Sequence, residues 1–304
     1  MQKLIPPMLN GVSASTLYLE KITNPPATIF EFLCQKFSHI DKTIWQMRFL
    51  NRLIFNQEGK ALTLDSPYQH GVFIYYYREV KDEIVVPFDY QIIFENHEVI
   101  VVDKPHFLPV TPSGRYVSQT LLTRLKHDTK NPDLSPIHRL DKETAGLILI
   151  SKNPHTRGAY QTLFSQHKIN KLYHAIAPFK AELTFPQTIA LHLQRGTPFY
   201  VMQISPEKEP NSFTQISIIK HNDKFAKYQL IPTTGKLHQL RVHMNHLGIA
   251  IKNDGFYPEI FHKAGDDFSS PLQLLAKELV FCDPISQKLH HFYSKQALHL
   301  PQSS

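Results

Sequence analysis

An unbroken apolar run, Leu147-Ile148-Leu149-Ile150, stands out against the alternating polar and apolar positions along much of the chain. A strand of this composition is apolar on both faces, so the run predicts a strand in the centre of a sheet. The pattern predicts helices at 119–128 and 153–167, and further strands at 90–96, 97–105, 171–179, 188–194, 212–220 and 225–233. Because these helices interrupt the strands without a regular βαβ alternation, we expect an α+β fold with a mixed sheet.

Residues 81–89 (KDEIVVPFD) begin with polar positions and contain a proline, which is typical of a linker. Before this segment the pattern predicts a helix at 41–54. We therefore expect a small domain at residues 1–85 and a larger one at residues 86–304.

The predicted helix at 41–54 has two distinct faces on a helical wheel. Ile44, Met47, Leu50 and Ile54 fall on one side, and Lys42, Trp45, Arg48 and Arg52 fall on the opposite arc. Cations interleaved with an aromatic ring suit a phosphate backbone with an exposed base. A solvated face with a partly buried tryptophan accounts for the same pattern equally well.

Composition narrows the class of protein without identifying it. The formal net charge of +7 makes a polyanionic partner plausible, although many enzymes of small metabolites are equally basic. Cys34 and Cys282 are far apart and form no CxxC pair, which argues against a disulfide framework or a thiolate zinc site. With no signal-peptide pattern and no run of about 18 apolar residues, we expect a cytoplasmic protein outside the membrane.

The most informative motif is HRLD at residues 138–141, just before the apolar run. A carboxylate a few residues ahead of a buried strand is held rigidly, as a catalytic carboxylate must be. The motif therefore makes Asp141 a catalytic candidate. A structural contact between Arg139 and Asp141 in a surface turn is the competing interpretation.

A second signal lies in residues 232–248, which predict a helix that Thr233 or Thr234 caps and Gly248 ends. Arg241 falls on the packing face of this helix, where its charged guanidinium requires an anionic or strongly hydrogen-bonding partner. Asp141 is the intramolecular partner that we predict, since the pair would favour the ionised carboxylate. A structural ion pair without chemistry also fits.

KLYHA (171–175) is the third signal. Strand alternation directs Lys171 and Tyr173 to the same face. A phenol there could act as a general base, as a hydrogen-bonding group or as a stacking group. Packing in the core is the alternative for a tyrosine in a strand.

Taken in order, these motifs resemble the RluA-type family of RNA pseudouridine synthases. HRLD followed by Thr144 and Gly146 is similar to the central motif of the family, and KLYHA to its tyrosine motif. The segments 99–112, 234–243 and 274–284 are similar to three further motifs, and the resemblance spans roughly residues 90 to 285. Residues 1–85 resemble an S4-type RNA-binding module. The resemblance implies a first helix at 32–37, a second at 41–54 and a strand-rich stretch that closes at 71–80, but the glycine usually found after the second helix is absent.

The resemblance implies a catalytic domain with a mixed, mainly antiparallel sheet, and a role for each matched residue. Asp141 would be the essential aspartate, Tyr173 the base that removes the C5 proton, and Arg241 the partner that orients Asp141. Arg139 would hold the RNA open around a flipped uridine. Other predicted substrate-binding residues are His138, Thr144, Lys171, Lys236, His238 and Gln239 in the catalytic domain, and Lys42, Trp45, Arg48 and Arg52 in the S4-like module.

The implied substrate is ribosomal or transfer RNA, and the reaction requires no metal or organic cofactor. We expect a monomer without an obligate protein partner. Three positions depart from the family pattern: Lys236 stands where arginine is more frequent, Asn253 where glycine is common, and Leu275, just before Ala276, where histidine is frequent.

Two other functions fit parts of the pattern. The first is an RNA-binding or RNA-folding protein on the same scaffold, with secondary or lost catalysis. The second is a metal-dependent nuclease or hydrolase that uses some of the 18 histidines. The spacings His238/His243 and His290/His291 match no compact metal-ligand pattern, which argues against it.

Overall fold

The computed structural model describes residues 6–261 and 263–302, so the ends of the two predicted domains, residues 1–5 and 303–304, lie outside the described residues. The helices are α1 (Ile29–Lys36), α2 (Lys42–Leu50), α3 (Leu121–Thr129), α4 (Arg157–Ser165) and α5 (Gln239–His246). The strands are β1 (Ser15–Tyr18), β2 (Ile54–Asn56), β3 (Phe73–Tyr76), β4 (Gln91–Glu95), β5 (Val99–Lys104), β6 (Ser135–Pro136), β7 (Ala145–Ser151), β8 (Ile169–Pro178), β9 (Gln187–Leu191), β10 (Leu193–Arg195), β11 (Met202–Ile204), β12 (Ser212–His221), β13 (Phe225–Pro232), β14 (Leu274–Cys282) and β15 (Leu289–Tyr293).

The described residues form two compact units. The first unit runs to Glu83 and also includes Pro112–Ser118 and Thr123–Pro132; the second contains Ile84–Thr111, Gln119–Leu122 and the chain from Asp133 onwards. The sequence predicts a single break near residue 85, whereas two later segments also belong to the first unit. Within the described ranges, no helix has the length and apolar character needed to cross a membrane.

The first unit combines a three-stranded antiparallel sheet, in the order β1-β3-β2, with α1 and α2. Each helix begins at a capping side chain: Thr28 accepts a hydrogen bond from the N–H of Glu31, and Asp41 accepts one from the N–H of Thr43. Two helices and the strands that follow them were predicted here. The S4-like identity of this unit stays a prediction.

The face that α2 turns toward the core is opposite to the predicted one. Trp45 is 0 % and Arg48 5 % exposed, whereas Ile44, Met47 and Leu50 are 43 %, 50 % and 59 % exposed. Trp45 shares its face with buried Phe49, and the two rings together bury more apolar surface than the aliphatic side chains opposite. The predicted RNA-binding surface that includes Trp45 and Arg48 is therefore wrong.

Lys42 and Arg52 remain exposed, and the ammonium group of Lys42 lies 5.5 Å from the ring centroid of the half-buried Phe30. The guanidinium of Arg48 lies over the buried ring of Trp45, with its central carbon 4.6 Å from the ring centroid. Helix α2 ends at Leu50 rather than at residue 54, and Arg52 adopts a left-handed backbone conformation with φ 56°. The turn after α2 is thus made by a non-glycine residue in a conformation that favours glycine.

The second unit is built on a mixed sheet of ten strands. Their order is β4-β5-β7-β14-β8-β13-β12-β9, with β6 paired to β7 and β15 to β14. Only the β7–β14 pair among these described strands is parallel. The predicted α+β fold with a mixed, mainly antiparallel sheet is confirmed.

Strand β7 lies inside this sheet, between β5 and β14, as its apolar run predicts. All seven of its residues are buried, and so are all six residues of β5. Leu147 and Leu149 pack with Tyr160 and Leu163 of α4. The chain just before β7 is therefore attached to the most completely buried part of the sheet.

Asp103 is a buried carboxylate on β5 whose hydrogen-bond donors are provided by residues 294–296. It accepts hydrogen bonds from the Ser294 hydroxyl (2.9 Å), the Lys295 N–H (2.7 Å) and the Gln296 side-chain amide (2.6 Å). These bonds fasten residues 294–296 to an interior strand.

Gly146 permits the close parallel approach of β7 and β14. Its φ is +106°, and an added Cβ would lie 2.2 Å from the carbonyl oxygen of Ala276. Both the backbone conformation and the space exclude a side chain, because an L-residue is strained at this φ and the clash is with backbone.

We expect Gly146→Ala to lower the free energy of unfolding by about 2 kcal/mol or more, through strain and forced separation of β7 from β14. Thermal or urea unfolding measures the loss. Gly158→Ala is the matched control, because Gly158 lies in α4 with nothing within 4 Å of an added Cβ. Equal stability of the two variants would contradict the steric role of Gly146.

Candidate active site

A cleft of about 420 Å³ opens in the second unit, lined by the turn before β7, by β8 and by the segment that leads into α5. Every residue that the sequence predicts for the site in this domain lines it: Asp141, Tyr173, Arg241, His138, Arg139, Thr144, Lys171, Lys236, His238 and Gln239. Residues from three separate motifs therefore meet in one cavity.

Asp141 lies in a tight turn that ends where β7 begins. The N–H of Thr144 donates to the carbonyl of Asp141 at 3.1 Å, and Thr144 itself is nearly fully buried. The Glu143 carbonyl lies 2.7 Å from the imidazole Nδ1 of His106, which is mainly neutral because burial lowers its pKa to about 4. The side chain of Asp141 keeps 25 % of its surface exposed to the cleft.

Lys104 anchors this turn from inside the protein. Its ammonium group, with no exposed surface, donates to the carbonyls of Pro105 (2.9 Å), Leu108 (2.9 Å) and Lys142 (3.0 Å). These acceptors match the three donors of a charged lysine. Burial lowers the pKa of Lys104 to about 7, against the opposing charges of Glu143 and Asp141.

Arg241 lies beneath Asp141, as predicted, but it has a second and closer partner. Its Nη1 is 3.6 Å from Oδ2 of Asp141. Its Nε and Nη2 donate to the two carboxylate oxygens of Asp254 at 2.8 and 2.6 Å. Burial opposes the charged form, but the hydrogen bond and charge of Asp254, with the charge of Asp141, raise the pKa of Arg241 above its ordinary value.

The sequence argument missed Asp254. It sought one partner for a buried arginine, although a guanidinium has two donor edges. The available signal was the acidic residue next to Asn253, in the turn region that follows the helix. Asn253 has φ +65°, a conformation that asparagine tolerates better than most residues, so its replacement of glycine preserves the turn.

His238 is the third group beside Asp141. Its Nε2 is 4.0 Å from Oδ2 of Asp141, and its Nδ1 is 3.0 Å from the hydroxyl of Tyr257. Burial lowers the pKa of His238 to about 4, despite the opposing charge of Asp141, so the ring is mainly neutral at pH 7. The Tyr257 hydroxyl also accepts the N–H of Met202 at 2.8 Å.

Tyr173 and Lys171 line the cleft from the same face of β8, as strand alternation predicts. Burial, and then the charge of Asp141, raise the pKa of Tyr173 far above its ordinary value, which keeps the phenol protonated. Lys171 donates to the carbonyl of Thr234 at 3.1 Å, and burial lowers its pKa to about 8. At neutral pH the cleft therefore contains a neutral phenol and a mainly charged ammonium group.

The entry to α5 differs from the prediction. The helix begins at Gln239, and His238 precedes it in a left-handed conformation without a capping side-chain bond, so the predicted cap at Thr233 or Thr234 is wrong. The end is as predicted: Gly248 has φ +69° and donates its N–H to the carbonyl of Asn245 at 2.8 Å.

Gln239 is a structural residue of this turn rather than a free RNA-binding group. Its amide oxygen accepts from the Thr234 hydroxyl (2.8 Å) and the Lys236 N–H (3.0 Å). Its amide nitrogen donates to the Phe213 carbonyl and the Thr214 hydroxyl, both at 3.0 Å. All four hydrogen-bonding positions of the amide are occupied, which corrects the predicted substrate contact.

His138 also has a structural position. Its Nε2 accepts the N–H of Leu149 at 3.1 Å, and its ring stacks on Phe164 with centroids 4.4 Å apart. Burial lowers the pKa of His138 to about 4, consistent with a neutral acceptor ring. Arg139 and Lys236, by contrast, are exposed at the cleft.

The cleft thus combines one carboxylate with several cations. Among its described lining residues Asp141 is the single acid, facing Arg241 and accompanied by Arg139, Lys171 and Lys236. This arrangement suits a polyanionic substrate with one reactive centre held at the carboxylate. Over residues 6–261 and 263–302, no three His, Cys, Asp or Glu side chains are grouped so that they could hold a metal ion.

Comparison with known proteins gives one consistent result. The sequence profile described as RNA pseudouridylate synthase matches residues 98–246. The dual-specificity RNA pseudouridine synthase RluA of Vibrio cholerae is 34 % identical over 207 residues, which is 66 % of this chain and 81 % of that protein. The tRNA pseudouridine(31) synthase of Saccharomyces cerevisiae is 30 % identical over 55 % of this chain and 46 % of that protein.

Solved structures share the fold. The human RNA pseudouridylate synthase domain containing 1 superposes with a TM-score of 0.56 at 22 % identity, over 68 % of this chain and 84 % of that chain. The human RNA pseudouridylate synthase domain containing 4 gives a TM-score of 0.51 at 21 % identity, over 68 % and 88 % of the two chains.

The buried and half-buried histidines of the second unit predict a loss of stability in acid. Burial lowers the pKa to about 4 for His106, His138, His174, His238 and His243. An unfolded histidine binds its proton near pH 6.5, so the unfolded state takes up more protons between about pH 6.5 and 4. Stability is therefore present above pH 6.5 and falls progressively toward pH 4, as unfolding at a series of pH values would show.

The variant His243→Gln tests this directly, because His243 is fully buried and its Nδ1 has no hydrogen-bond partner among the residues that the structure describes. We expect it to lose stability less steeply with acid than the wild type. His155→Gln, at an exposed histidine, is the control that should keep the wild-type slope. Equal slopes in all three proteins would contradict the assignment.

Proposed function

Because the chain belongs to the RNA pseudouridylate synthase family, we propose that Asp141 starts the isomerisation of a uridine bound in the cleft. The chain is an isomerase that converts uridine in RNA into pseudouridine. The observation that carries the proposal is that Asp141 is the single acid among the described residues that line the cleft.

The reaction exchanges one bond of the uracil ring for another. The N1–C1′ bond breaks, the ring turns, and C5 forms a new bond to C1′ and loses its proton. Since N1 and C5 lie on different edges of the ring, the nucleotide must leave the base stack before it can turn. A cleft of about 420 Å³ with a partly exposed carboxylate supports such an extruded nucleotide.

Asp141 has the properties that the first step requires. Arg241 lies at ion-pair distance and favours the charged carboxylate, but the fork of its guanidinium is taken by Asp254. The oxygens of Asp141 are therefore stabilised without being clamped, and they remain available to the nucleotide. Whether Asp141 attacks the sugar, attacks the base or removes a sugar proton, it loses its negative charge in this step.

That loss of charge supports a role for Tyr173. The phenol is protonated in the resting protein, so it can accept the C5 proton only after its own proton has left. We propose that Tyr173 donates its proton to the departing uracil anion and later receives the proton from C5. The negative charge of Asp141 is one of two causes of the high pKa of Tyr173, so its disappearance eases the donation.

The cationic side chains of the cleft support binding of the phosphate backbone. Arg139 and Lys236 are exposed, and Lys171 uses one of its three donors on the carbonyl of Thr234. We propose that these three groups hold the phosphates on either side of the extruded uridine. Lysine at 236 supplies charge without the planar fork of arginine.

The substrate that we propose is a uridine in ribosomal or transfer RNA. One relative carries the name dual-specificity RNA pseudouridine synthase and another is a tRNA pseudouridine(31) synthase. Mapping pseudouridines in all cellular RNA, with and without the gene, would identify the target. We further propose that the enzyme acts as a monomer in the cytoplasm, where Cys34 and Cys282 stay as free thiols.

Asp141→Asn should lower the rate of isomerisation roughly 10³-fold or more. The amide carries no negative charge, so it cannot make the attack or accept the proton that the first step requires. Affinity for RNA should stay the same or increase slightly, since the cleft loses a negative charge. Release of tritium from RNA labelled at uridine C5 measures turnover, and a filter or fluorescence assay measures binding.

Glu143→Gln is the control, because this acid belongs to the same turn but does not line the cleft. It should keep nearly wild-type turnover. Substantial activity in Asp141→Asn would refute the proposed role. A wild type that binds RNA but forms no pseudouridine would favour an RNA-binding protein with lost catalysis.

Tyr173→Phe should bind RNA normally and turn over about 10² to 10⁴ times more slowly, because the proton relay is missing. In a single-turnover experiment, a species with a cleaved N1–C1′ bond should accumulate before the C–C product forms. Wild-type turnover in this variant would remove Tyr173 from the proton pathway.

A further inference from the structure

Asp254 accepts hydrogen bonds from two different parts of the second unit. Its side chain has no exposed surface, and it accepts from Nε and Nη2 of Arg241 at 2.8 and 2.6 Å. The same carboxylate accepts the N–H groups of Phe256 (2.8 Å) and Tyr257 (3.2 Å). Four donors from a helix and a turn thus converge on one buried carboxylate.

The hydrogen bonds to Asp254 determine which edge of the guanidinium group of Arg241 faces the cleft. With Nε and Nη2 committed to Asp254, Nη1 is the nitrogen left beside Asp141, at 3.6 Å. The rings of Phe256 and Tyr257 lie 4.9 and 5.5 Å from the central carbon of the guanidinium. Rotation that would bring the fork onto Asp141 would therefore break two short hydrogen bonds and these aromatic contacts.

Asp254 also keeps the buried charge of Arg241 paired during the reaction. Two carboxylates share one guanidinium in the resting protein. When Asp141 loses its charge in the first step, Arg241 and Asp254 remain as a complete buried pair. The charge of Arg241 is therefore not left unpaired in the interior, where an unpaired charge would be unfavourable in free energy.

We infer that Asp254 is a positioning residue: it holds the guanidinium fork of Arg241 away from Asp141, so that Asp141 is stabilised in its charged form but remains free to react. This inference rests on the proposed role of Asp141. Asp254 itself does not line the cleft, and it acts through Arg241.

The test is the pH dependence of turnover in Asp254→Asn. The amide keeps the size of the side chain but loses the charge and one acceptor, so the Arg241 fork is released toward Asp141. We expect kcat to fall about 10- to 100-fold, as for loss of one charge-assisted hydrogen bond, with little change in RNA affinity. The acidic limb of the pH–rate profile should move to lower pH, because the released fork favours the charged Asp141 more strongly.

Apart from the fork of Arg241, the groups that face Asp141 do not produce that shift. They are His238 from the entry of α5, Tyr173 from β8, Tyr257 from the following turn and Lys104 from β5. Each remains in the Asp254→Asn variant. A purely structural defect would lower the melting temperature and the amount of active protein without moving the acidic limb.

Asp283→Asn is a closely matched control. Asp283 is also a buried aspartate that accepts two N–H groups of its own turn, from Ile285 (2.9 Å) and Ser286 (2.8 Å), and one side-chain donor, the Tyr160 hydroxyl (2.7 Å). Asp283→Asn should lower the free energy of unfolding about as much as Asp254→Asn does. Its pH–rate profile should be the same as that of the wild type.

An Asp254→Asn variant that does not fold is replaced by Arg241→Met/Asp254→Asn, which removes both buried charges. Compared with Arg241→Met alone, the double variant must show no further loss of kcat, because Asp254 acts only through Arg241. A further loss of about tenfold or more, or an unmoved acidic limb in folded Asp254→Asn, overturns the inference.

The two variants also separate this inference from the proposed function. If Asp141→Asn is inactive and Asp254→Asn is fully active, only this inference is refuted. If Asp141→Asn is active, the proposed function is refuted as well.

Discussion

A guanidinium group that is buried beneath the cleft must be neutralised, and the chemistry of the site depends on how this is done. One carboxylate would suffice for charge balance, but a single bidentate pair would occupy the oxygens of the reactive group. The protein divides the task between Asp254, which binds the fork of Arg241, and Asp141, which receives the remaining edge at a longer distance. Stabilisation of the charge and freedom to react are thereby separated in space.

Burial keeps two other ionisable neighbours of Asp141, His238 and Tyr173, uncharged. His238 stays neutral because its pKa lies near 4, and Tyr173 stays protonated because its pKa is raised. The resting field at Asp141 therefore comes mainly from Arg241, with more distant contributions from the cleft lysines. Rigid support of the turn by the buried ammonium of Lys104 keeps the carboxylate in this field.

Prediction from the sequence was most successful where a physical requirement permits few structural arrangements. The apolar run at 147–150 had to be an interior strand, and a buried Arg241 had to meet an acid near the HRLD turn. It failed where two solutions were close in energy. On α2 it weighed aliphatic residues against a lone tryptophan and overlooked Phe49, which places Trp45 and Arg48 in the core instead.

The remaining misses concern polar groups whose partners come from distant segments. Gln239 was assigned to RNA because it belongs to a matched motif, yet its amide donates to the Phe213 carbonyl and the Thr214 hydroxyl of β12. Asp254 was overlooked because a turn brings it under the helix, a geometry that helical periodicity does not encode. Both errors arise from counting one partner for a group that can make several hydrogen bonds.

The hydrogen bonds of Asp103 have a consequence for the order in which the molecule assembles. This carboxylate belongs to an interior strand, but its partners Ser294, Lys295 and Gln296 come 191 to 193 residues later. While the chain folds, this carboxylate gives up its hydration only when that distant segment packs against β5. The apolar strands around β7 can associate earlier, so the packing of residues 294–296 on β5 is a strongly non-local step in the folding of the catalytic unit.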